Sequence, residues 1–499
     1  MESHRPTGRP SSRRNALRWR HRRRSTARLA AVCAAVLTCS MGVGSAAAAE
    51  SVRSWVTTGD GKLRLAEQST VPIQDGAPGT GGTTVTLLPE EKHQTMRGFG
   101  AALTESSASL IAASPQRDEI MAALFDPDGG IGLTSLRQPM GASDFSPKFR
   151  SYDDMPPGQT DWQLKSFDLG NDRVDVLPLL RQARELNQDL GIMASPWTAP
   201  GWMKDNDSLR SGALKPAAFH TYARYFVRFL EEYAAAGVPV NAVSPQNEPE
   251  NPDPGVPTMW MTASAQAAFV ANDLGPALEE SGFGDVQILG FDHNWDHPEY
   301  PEHLLADPKA RAYLDGIAFH CYRGTVAQQG EFARAHPEMP VHLTECTGTA
   351  APEQARSFAD GLLWQAGNLV VEATRQGAAS VHLWNLALDP EHGPSLGRCS
   401  TCTGLVTVDN EKGTVERTAS FYALGHASDF VRPRAVRIGS RAAGPGAESL
   451  RSTAFRNPEG DLATIVVNTG AERTFDLAVG DRHVEVTIPA GSVATYVLP

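Results

Sequence analysis

An α/β fold, a (β/α)8 barrel carrying an appended antiparallel β-sandwich, follows from three features of the 499-residue sequence. Between about residues 95 and 425, short β-branched runs alternate eight times with amphipathic helical patterns, the mark of parallel strands joined by helices. No strand leads into the glycine-rich phosphate turn of an open doubly wound sheet: Gly98-Phe99-Gly100 continues into Ala101-Ala102-Leu103 and lacks the third glycine. Beyond Pro433 the pattern changes to alternating apolar and polar residues with turns such as Asn457-Pro458-Glu459-Gly460. Hydrophobic residues at 41% and charged residues at 20% describe an enzyme-sized globular chain and exclude a disordered or small disulfide-stapled one.

Taken in chain order, the first 49 residues read as an export signal: an Arg-rich stretch from Arg5 to Arg28, an apolar run from Leu29 to Val43, and Ala46-Ala47-Ala48-Ala49 before a cut near Ala49. The apolar run of about 15 residues falls short of the roughly 20 of a spanning helix, so no stable membrane anchor is expected. Ser12-Arg13-Arg14-Asn15-Ala16-Leu17 loosely matches a twin-arginine signal, and both Sec and Tat routes fit. Without those 49 residues, which hold ten arginines and one acid, 35 basic residues face 56 acidic ones, a balance of −21. That balance argues against nucleic acid and anionic membrane surfaces as partners.

Residues 50–92 supply N-terminal strands to the sandwich, 52–73 being the clearest. The barrel then occupies 93–430, with strands expected at 96–103, 133–138, 191–196, 240–246, 286–291, 316–321, 341–345 and 380–386. Helical patterns fall at 175–190, 216–236, 262–281 and 354–377. The C-terminal sandwich, 431–499, shows strands at 450–455, 462–468, 473–479, 483–488 and 493–498. Four cysteines remain after cleavage, a count that suggests two disulfides in an exported protein. Cys399 and Cys402 have the spacing of a loop-closing bridge, zinc lacking a second ligand pair nearby, which leaves Cys321 and Cys346 to pair.

A barrel of this kind builds its site where the strands end. Here the ends supply Arg137 and Asp144, Trp197, Asn247 and Glu248, His320 and Tyr322, Glu345, and Trp384 and Asn385. Two carboxylates with aromatic walls suit a sugar, because glycosidic cleavage needs one carboxyl to protonate the departing oxygen and a second to act on the anomeric carbon. Glu248 and Glu345 are expected to converge over the barrel axis at about 5–5.5 Å, the retaining geometry, rather than the roughly 6.5–9.5 Å of inverting enzymes. Asn247 is placed to bond the sugar 2-OH, Arg137 to hold Glu345 ionised, and the pKa of Glu248 is expected to be raised by its partner's charge and desolvation. Trp197, on a turn between Pro196 and Pro200, is expected to offer a ring face for stacking. His320 reads equally as a loop anchor or a ligand contact. His293-Asn294-Trp295-Asp296-His297 has metal-like spacing without a third convergent ligand, so a polar loop is preferred, with His293 as a site-wall residue.

Several runs resemble glycoside hydrolase family 30, the retaining β-glycosidases that include glucosylceramidases and β-1,6-glucanases. They are Gly98-Phe99-Gly100 with Thr104, Arg137-Gln138-Pro139-Met140-Gly141 with Ser143-Asp144-Phe145-Ser146, and Ala194-Ser195-Pro196-Trp197-Thr198-Ala199-Pro200. Gln246-Asn247-Glu248-Pro249, Thr344-Glu345-Cys346 and Trp384-Asn385-Leu386-Ala387-Leu388 complete the set. The resemblance covers about residues 85–499. It implies Glu248 as acid/base, Glu345 as nucleophile, and Asp144, Trp197, Asn247, Tyr322 and Trp384 in a glucose subsite. Two stretches depart from the pattern: the Pro-rich loop from Glu250 to Gly255, with the usual tyrosine replaced around Val256–Trp260, and Asp389-Pro390-Glu391-His392, with Asp and His where glucosylceramidases tend to carry Asn and Gly. His320-Cys321-Tyr322 with Thr344-Glu345-Cys346 looks more like the β-1,6-glucanase branch, and a Cys321–Cys346 bridge would fix the strand end that bears Glu345.

The expectation is therefore a secreted monomeric retaining β-glycosidase, free of metal or organic cofactor, acting on a β-linked glucan or glucoside. The leading substrates are β-1,6-glucan and glucosylceramide; xylan, β-xylosides and β-fucosides are the alternatives within the family. A secreted carbohydrate-binding protein that has lost catalysis is the rival of another class, opposed by the presence of both carboxylates, Asn247 and Arg137. An esterase or amidase reading lacks a Gly-x-Ser-x-Gly elbow and a triad.

Overall fold

The computed structural model describes residues 50–349, 357–396 and 399–499; the expected export signal lies outside them. Five strands precede the barrel, two of them long, β1 (Ser51–Thr58) and β2 (Thr84–Thr95), and three of two residues each, Ala66–Glu67, Val71–Pro72 and Gln74–Asp75. Eight parallel strands then close on themselves: β3 (Gly98–Ala102), β4 (Ser135–Met140), β5 (Gly191–Pro196), β6 (Ala242–Val243), β7 (Gln287–Asn294), β8 (Leu314–His320), β9 (Val341–Glu345) and β10 (Ala378–Leu383). Each falls where the sequence alternation places a strand. Closure needs β3 to lie very close to β4: a Cβ on Gly100 would fall 1.6 Å from the Ser135 carbonyl oxygen.

The surrounding helices range from one buried stripe to burial on every side, as in Ala419–Ser428 between barrel and sandwich. In Phe219–Ala235 the buried residues Tyr222, Tyr225, Phe226, Phe229, Leu230 and Tyr233 recur at the three- and four-residue spacing of one helix face. Two patterns read as continuous helices contain π-turns, at Val270–Leu274 and Ala366–Glu372. Sequence periodicity of 3.6 does not reveal a single widened turn.

Inside the barrel, side chains two apart along a strand share the inner face. One inner layer is apolar and small: Met193, Ala242, Leu289 and Ala318 pack together. The layer above, toward the strand ends, is polar, formed by Arg137, Ser195, Ser244, Asp292, His320 and Thr344. The aliphatic filling usual in such barrels gives way to a charged layer under the site.

The second sheet system adds β11 (Val436–Ala443), β12 (Leu450–Arg456), β13 (Leu462–Asn468), β14 (Arg473–Val479), β15 (Arg482–Ile488) and β16 (Ser492–Leu498). Its order is Ala66–Glu67, β1, β16, β13, β12, β11, β2, β14, β15, Gln74–Asp75. The path folds back as two layers, because β16 and β14, far apart in that order, meet through Tyr496 and Phe475 at 6.0 Å. One correction concerns pairing: β2 and β14 run parallel where a wholly antiparallel sheet was expected. Strand β11, with Gly439 and Ser440 at its centre, was absent from the expected set. Among the contacts that join the sandwich to the barrel is His426, whose ring nitrogens each lie 2.9 Å from a threonine hydroxyl, Thr57 of β1 and Thr495 of β16.

Candidate active site

Arg137 leaves β4 fully buried beneath the strand ends and holds three partners. Its Nη1 donates to Glu345 Oε2 at 2.5 Å, and its Nη2 to Asn247 Oδ1 at 2.7 Å and to Asp292 Oδ2 at 2.8 Å. Asp292 is the anion at the centre of this layer. Besides Arg137 it accepts from Ser195, Ser244, Thr344 and His320, at 2.6–3.0 Å. Burial opposes its charge, yet Arg137 and the His320 and Ser244 donors hold its carboxyl well below the usual range. Asp292 is the main residue that the sequence reading missed. It sits just beyond the stretch expected for the fifth strand, and a register shift between Phe291 and His293 turns it inward.

His320, ending β8, spans two carboxylates, with Nε2 3.0 Å from Asp292 Oδ1 and Nδ1 3.1 Å from Glu248 Oε1. Burial works against its proton, but Glu345, Asp292 and Glu248 together raise it to about 9. It is thus neither a loop anchor nor a free ligand contact but a cation lodged between acids. Glu248 also accepts from Asn251 Nδ2 at 2.6 Å, and His293 Nδ1 stands 3.7 Å from its Oε1. The expected raised pKa of Glu248 is overturned. Burial pushes it up, but the His320 hydrogen bond and the charges of His293 and His320 bring it down to about 2. Glu248 adopts φ 43°, Asp292 69° and Asn385 70°. Left-handed backbone at such residues costs about 1–3 kcal/mol each and persists where surrounding contacts over-determine it.

Glu345, at the end of β9, receives the Tyr322 hydroxyl at 2.7 Å on its other oxygen. Burial and the charge of Glu248 raise its pKa against the lowering influence of His320, Arg137 and the Tyr322 hydrogen bond, so Arg137 shares the work of holding the proton off. Disulfides join Cys321 to Cys346 and Cys399 to Cys402. The first ties together the residues that follow His320 and Glu345. The second packs beside Trp197, Trp384 and Phe145.

Trp197 departs from the expected open platform. It is 4% exposed and stacks on Trp384, itself 3% exposed, with ring centroids 5.1 Å apart and planes 22° apart. The Arg137 guanidinium lies 4.9 Å from the Trp197 ring centre. These rings back the charged layer and present little face to solvent, whereas Tyr322 is 41% exposed. Asp144 lies beside both catalytic candidates, and burial with the charges of Glu345 and Glu248 pushes it up to about 8. Asn385 accepts from Thr104 through Oδ1, leaving its buried Nδ2 without a partner. Asn247 Oδ1 is occupied by Arg137, which turns its amide nitrogen into the group available to a ligand.

The metal-like run after the fifth strand does not gather as its spacing suggests. His297 contacts Glu250, Asp296 and Glu299, while His293 turns toward Glu248. Among the described residues, Glu248, His293 and His320 are the group whose donor atoms converge, within 4.8 Å of one another.

Two carboxylates, one buried and one half-buried, a guanidinium and a tyrosine on the buried one, and a site at the strand ends of a (β/α)8 barrel define a barrel glycoside hydrolase. The chain belongs to glycoside hydrolase family 30: residues 96–431 match the family's TIM-barrel domain and 435–496 its β-sandwich domain. It is 32% identical over 485 residues to an endo-1,6-beta-D-glucanase of Neurospora crassa, covering 93% of this chain and 98% of that one. It is also 32% identical over 457 residues to the lysosomal acid glucosylceramidase of Mus musculus, covering 87% and 86%. A solved endo-beta1,6-glucanase superposes with a TM-score of 0.83 at 30% identity, over 90% of this chain and 99% of that one.

Proposed function

We propose that this enzyme is a retaining β-glycosidase working by double displacement, with Glu345 as nucleophile, Glu248 as acid/base and β-1,6-glucan as substrate. The observation that carries the roles is the difference in what the two carboxylates touch. Glu345 is gripped by Arg137, which has no acceptor, and by Tyr322, which keeps its proton far above the usual range. That is a setting for an attacking anion. Glu248 instead shares a hydrogen bond with protonated His320, so a transferable proton sits one step from its oxygen.

In the first step Glu345 attacks the anomeric carbon while the Glu248–His320 pair yields its proton to the departing oxygen. In the second, Glu248 takes a proton from water as that water opens the glycosyl ester. The pair is neutral as an acid and singly negative as a base, as microscopic reversibility requires. The Asn247 amide nitrogen is offered to the 2-OH, and Asp144, Tyr322 and the unpartnered Asn385 Nδ2 complete the sugar subsite, with the Trp197–Trp384 stack behind them.

Support for β-1,6-glucan comes from relatives named as endo-1,6-β-glucanases that cover almost the whole chain. Glucosylceramide is the second reading, favoured by the mouse glucosylceramidase match. Export is supported by the pattern of residues 1–49 and by two disulfides. No helix among the described residues is long and apolar enough to cross a membrane.

Product analysis on β-1,6-glucan, glucosylceramide and xylan side by side tests the substrate: release from glucan alone supports the proposal, and release from xylan alone refutes it. Glu345→Gln should abolish turnover. Glu248→Ala should spare substrates with good leaving groups and respond to azide; equal loss on all substrates contradicts the acid/base role.

A further inference from the structure

At the end of the barrel opposite the carboxylates, where β9 and β10 begin, the helix Val326–Ala335 meets strands β2 and β11 around a cavity of about 370 Å3. Its lining includes Lys92, His93, Arg334, Arg375 and Arg437, and no Asp or Glu. Burial and Arg437 push the His93 pKa down, so the charge comes from Lys92, Arg334, Arg375 and Arg437, a concentration unexpected in a chain whose residues beyond 49 balance at −21. Lys92, His93, Arg334 and Arg375 are exposed and form the rim. Arg437 forms the floor and is 7% exposed.

The floor is the informative part. Arg437 Nε donates to Gln94 Oε1 at 3.1 Å, and among the described residues no other hydrogen bond and no ion pair satisfies its guanidinium. Burial and the nearby Arg375 push its pKa down to about 10, with Glu91 only partly opposing. The nearest acids are engaged elsewhere: both oxygens of Glu91 are taken by Arg441, and Glu372 stands 3.9 Å from Arg375 Nε. The rim is held in place by protein contacts. Arg375 Nη1 bonds the Ser440 and Ser452 carbonyls, and Arg334 Nη1 bonds Gln376. A buried guanidinium without a counter-ion is destabilising unless a ligand supplies the charge.

We propose that this cavity is a second ligand site, which takes a small tetrahedral oxyanion, phosphate or sulfate, free or carried as the monoester of a small polyol. The open fork of Arg437 would pair with two of its oxygens, and Lys92, Arg334 and Arg375 would close over the rest. The volume lies within the roughly 300–1,000 Å3 of small-molecule sites, so the ester fits as well as the bare ion. The occupant touches the barrel and the sandwich together, so binding stabilises the whole fold by mass action.

The test uses the full folded enzyme at low salt, titrated with sodium phosphate, sodium sulfate, glycerol 3-phosphate and sodium chloride at matched ionic strength. Melting temperature and calorimetric affinity are read. A saturable rise of several degrees with an oxyanion, and at least tenfold weaker binding of chloride, supports the site. Saturation by the free ions alone assigns a free ion, and saturation by the ester assigns a phosphomonoester. Arg437→Met should lose the saturable response. If that variant does not fold, the rim double variant Lys92→Glu/Arg334→Glu carries the test, with an expected loss of tenfold or more in affinity. No saturable response to any oxyanion, equal response to chloride, or wild-type affinity in the variants overturns the proposal.

Discussion

Replacing Asp292 with Asn would leave Arg137 and His320, two fully buried cations, without the acid they share. Removing one partner from such a buried network typically costs about 3–5 kcal/mol. Asp292→Asn should therefore lose stability on that scale in a urea melt, and a loss under about 1 kcal/mol would show that water reaches the layer. His320 governs the alkaline side of activity. Its proton is held up to about 9, so kcat/KM should fall as pH rises through that value. In His320→Gln, Glu248 loses its cationic neighbour and becomes the titrating acid. The alkaline limb should then move down by more than one unit, and an unmoved limb would remove His320 from the proton path.

The elements that carry these residues differ in how plainly the sequence announces them. All eight barrel strands are visible because each is a short apolar run set between amphipathic helices. Strands β2 and β11 are not, since β2 breaks its alternation with Pro89-Glu90-Glu91-Lys92 and β11 carries Gly439 and Ser440 at its middle. Glu248 and Glu345 are legible because strand ends are where a barrel gathers chemistry. Asp292 is hidden because an irregular pairing, not the two-residue period, decides which way it faces. The burial of Trp197 is equally hidden, for it depends on Trp384 arriving from a strand nearly 200 residues later. The Cys321–Cys346 bridge belongs to this scale. It closes a segment with a sequence separation of 25 between the ends of β8 and β9, worth roughly 3.5 kcal/mol by loop entropy. The Cys321→Ser/Cys346→Ser double variant should lose about that much in thermal denaturation. It should also lose more in kcat than in KM, because Tyr322 and Glu345 flank the bridge; unchanged kcat would show that β9 positions Glu345 unaided.

At the scale of the whole molecule, one of the links between barrel and sandwich is a histidine that stays neutral. Burial brings His426 down to about 3, and His342 and His382 inside the barrel to about 3 and about 4. The unfolded chain binds protons at these rings below about 6.5 while the folded one does not, so each ring lowers stability as pH falls through that value, until its folded pKa is reached. The contribution of each is about 1.4 kcal/mol per pH unit in that window. Measured between pH 7 and 4.5, the stability of His426→Gln should therefore decline less steeply than that of the wild type, and equal slopes would place the ring in contact with water.

The pairing of β1 with β16 has a consequence in time. Residues 51–58 leave the ribosome about 430 residues before their partner, 492–498, which at about 5–20 residues per second is a wait of roughly 20–90 s. Strand β13 waits for the same partner, since β16 lies between the two. The sheet stays open between β1 and β13 until synthesis reaches that final strand. A chain that stops short of Ser492 presents two unpaired strand edges, those of β1 and β13, to its neighbours.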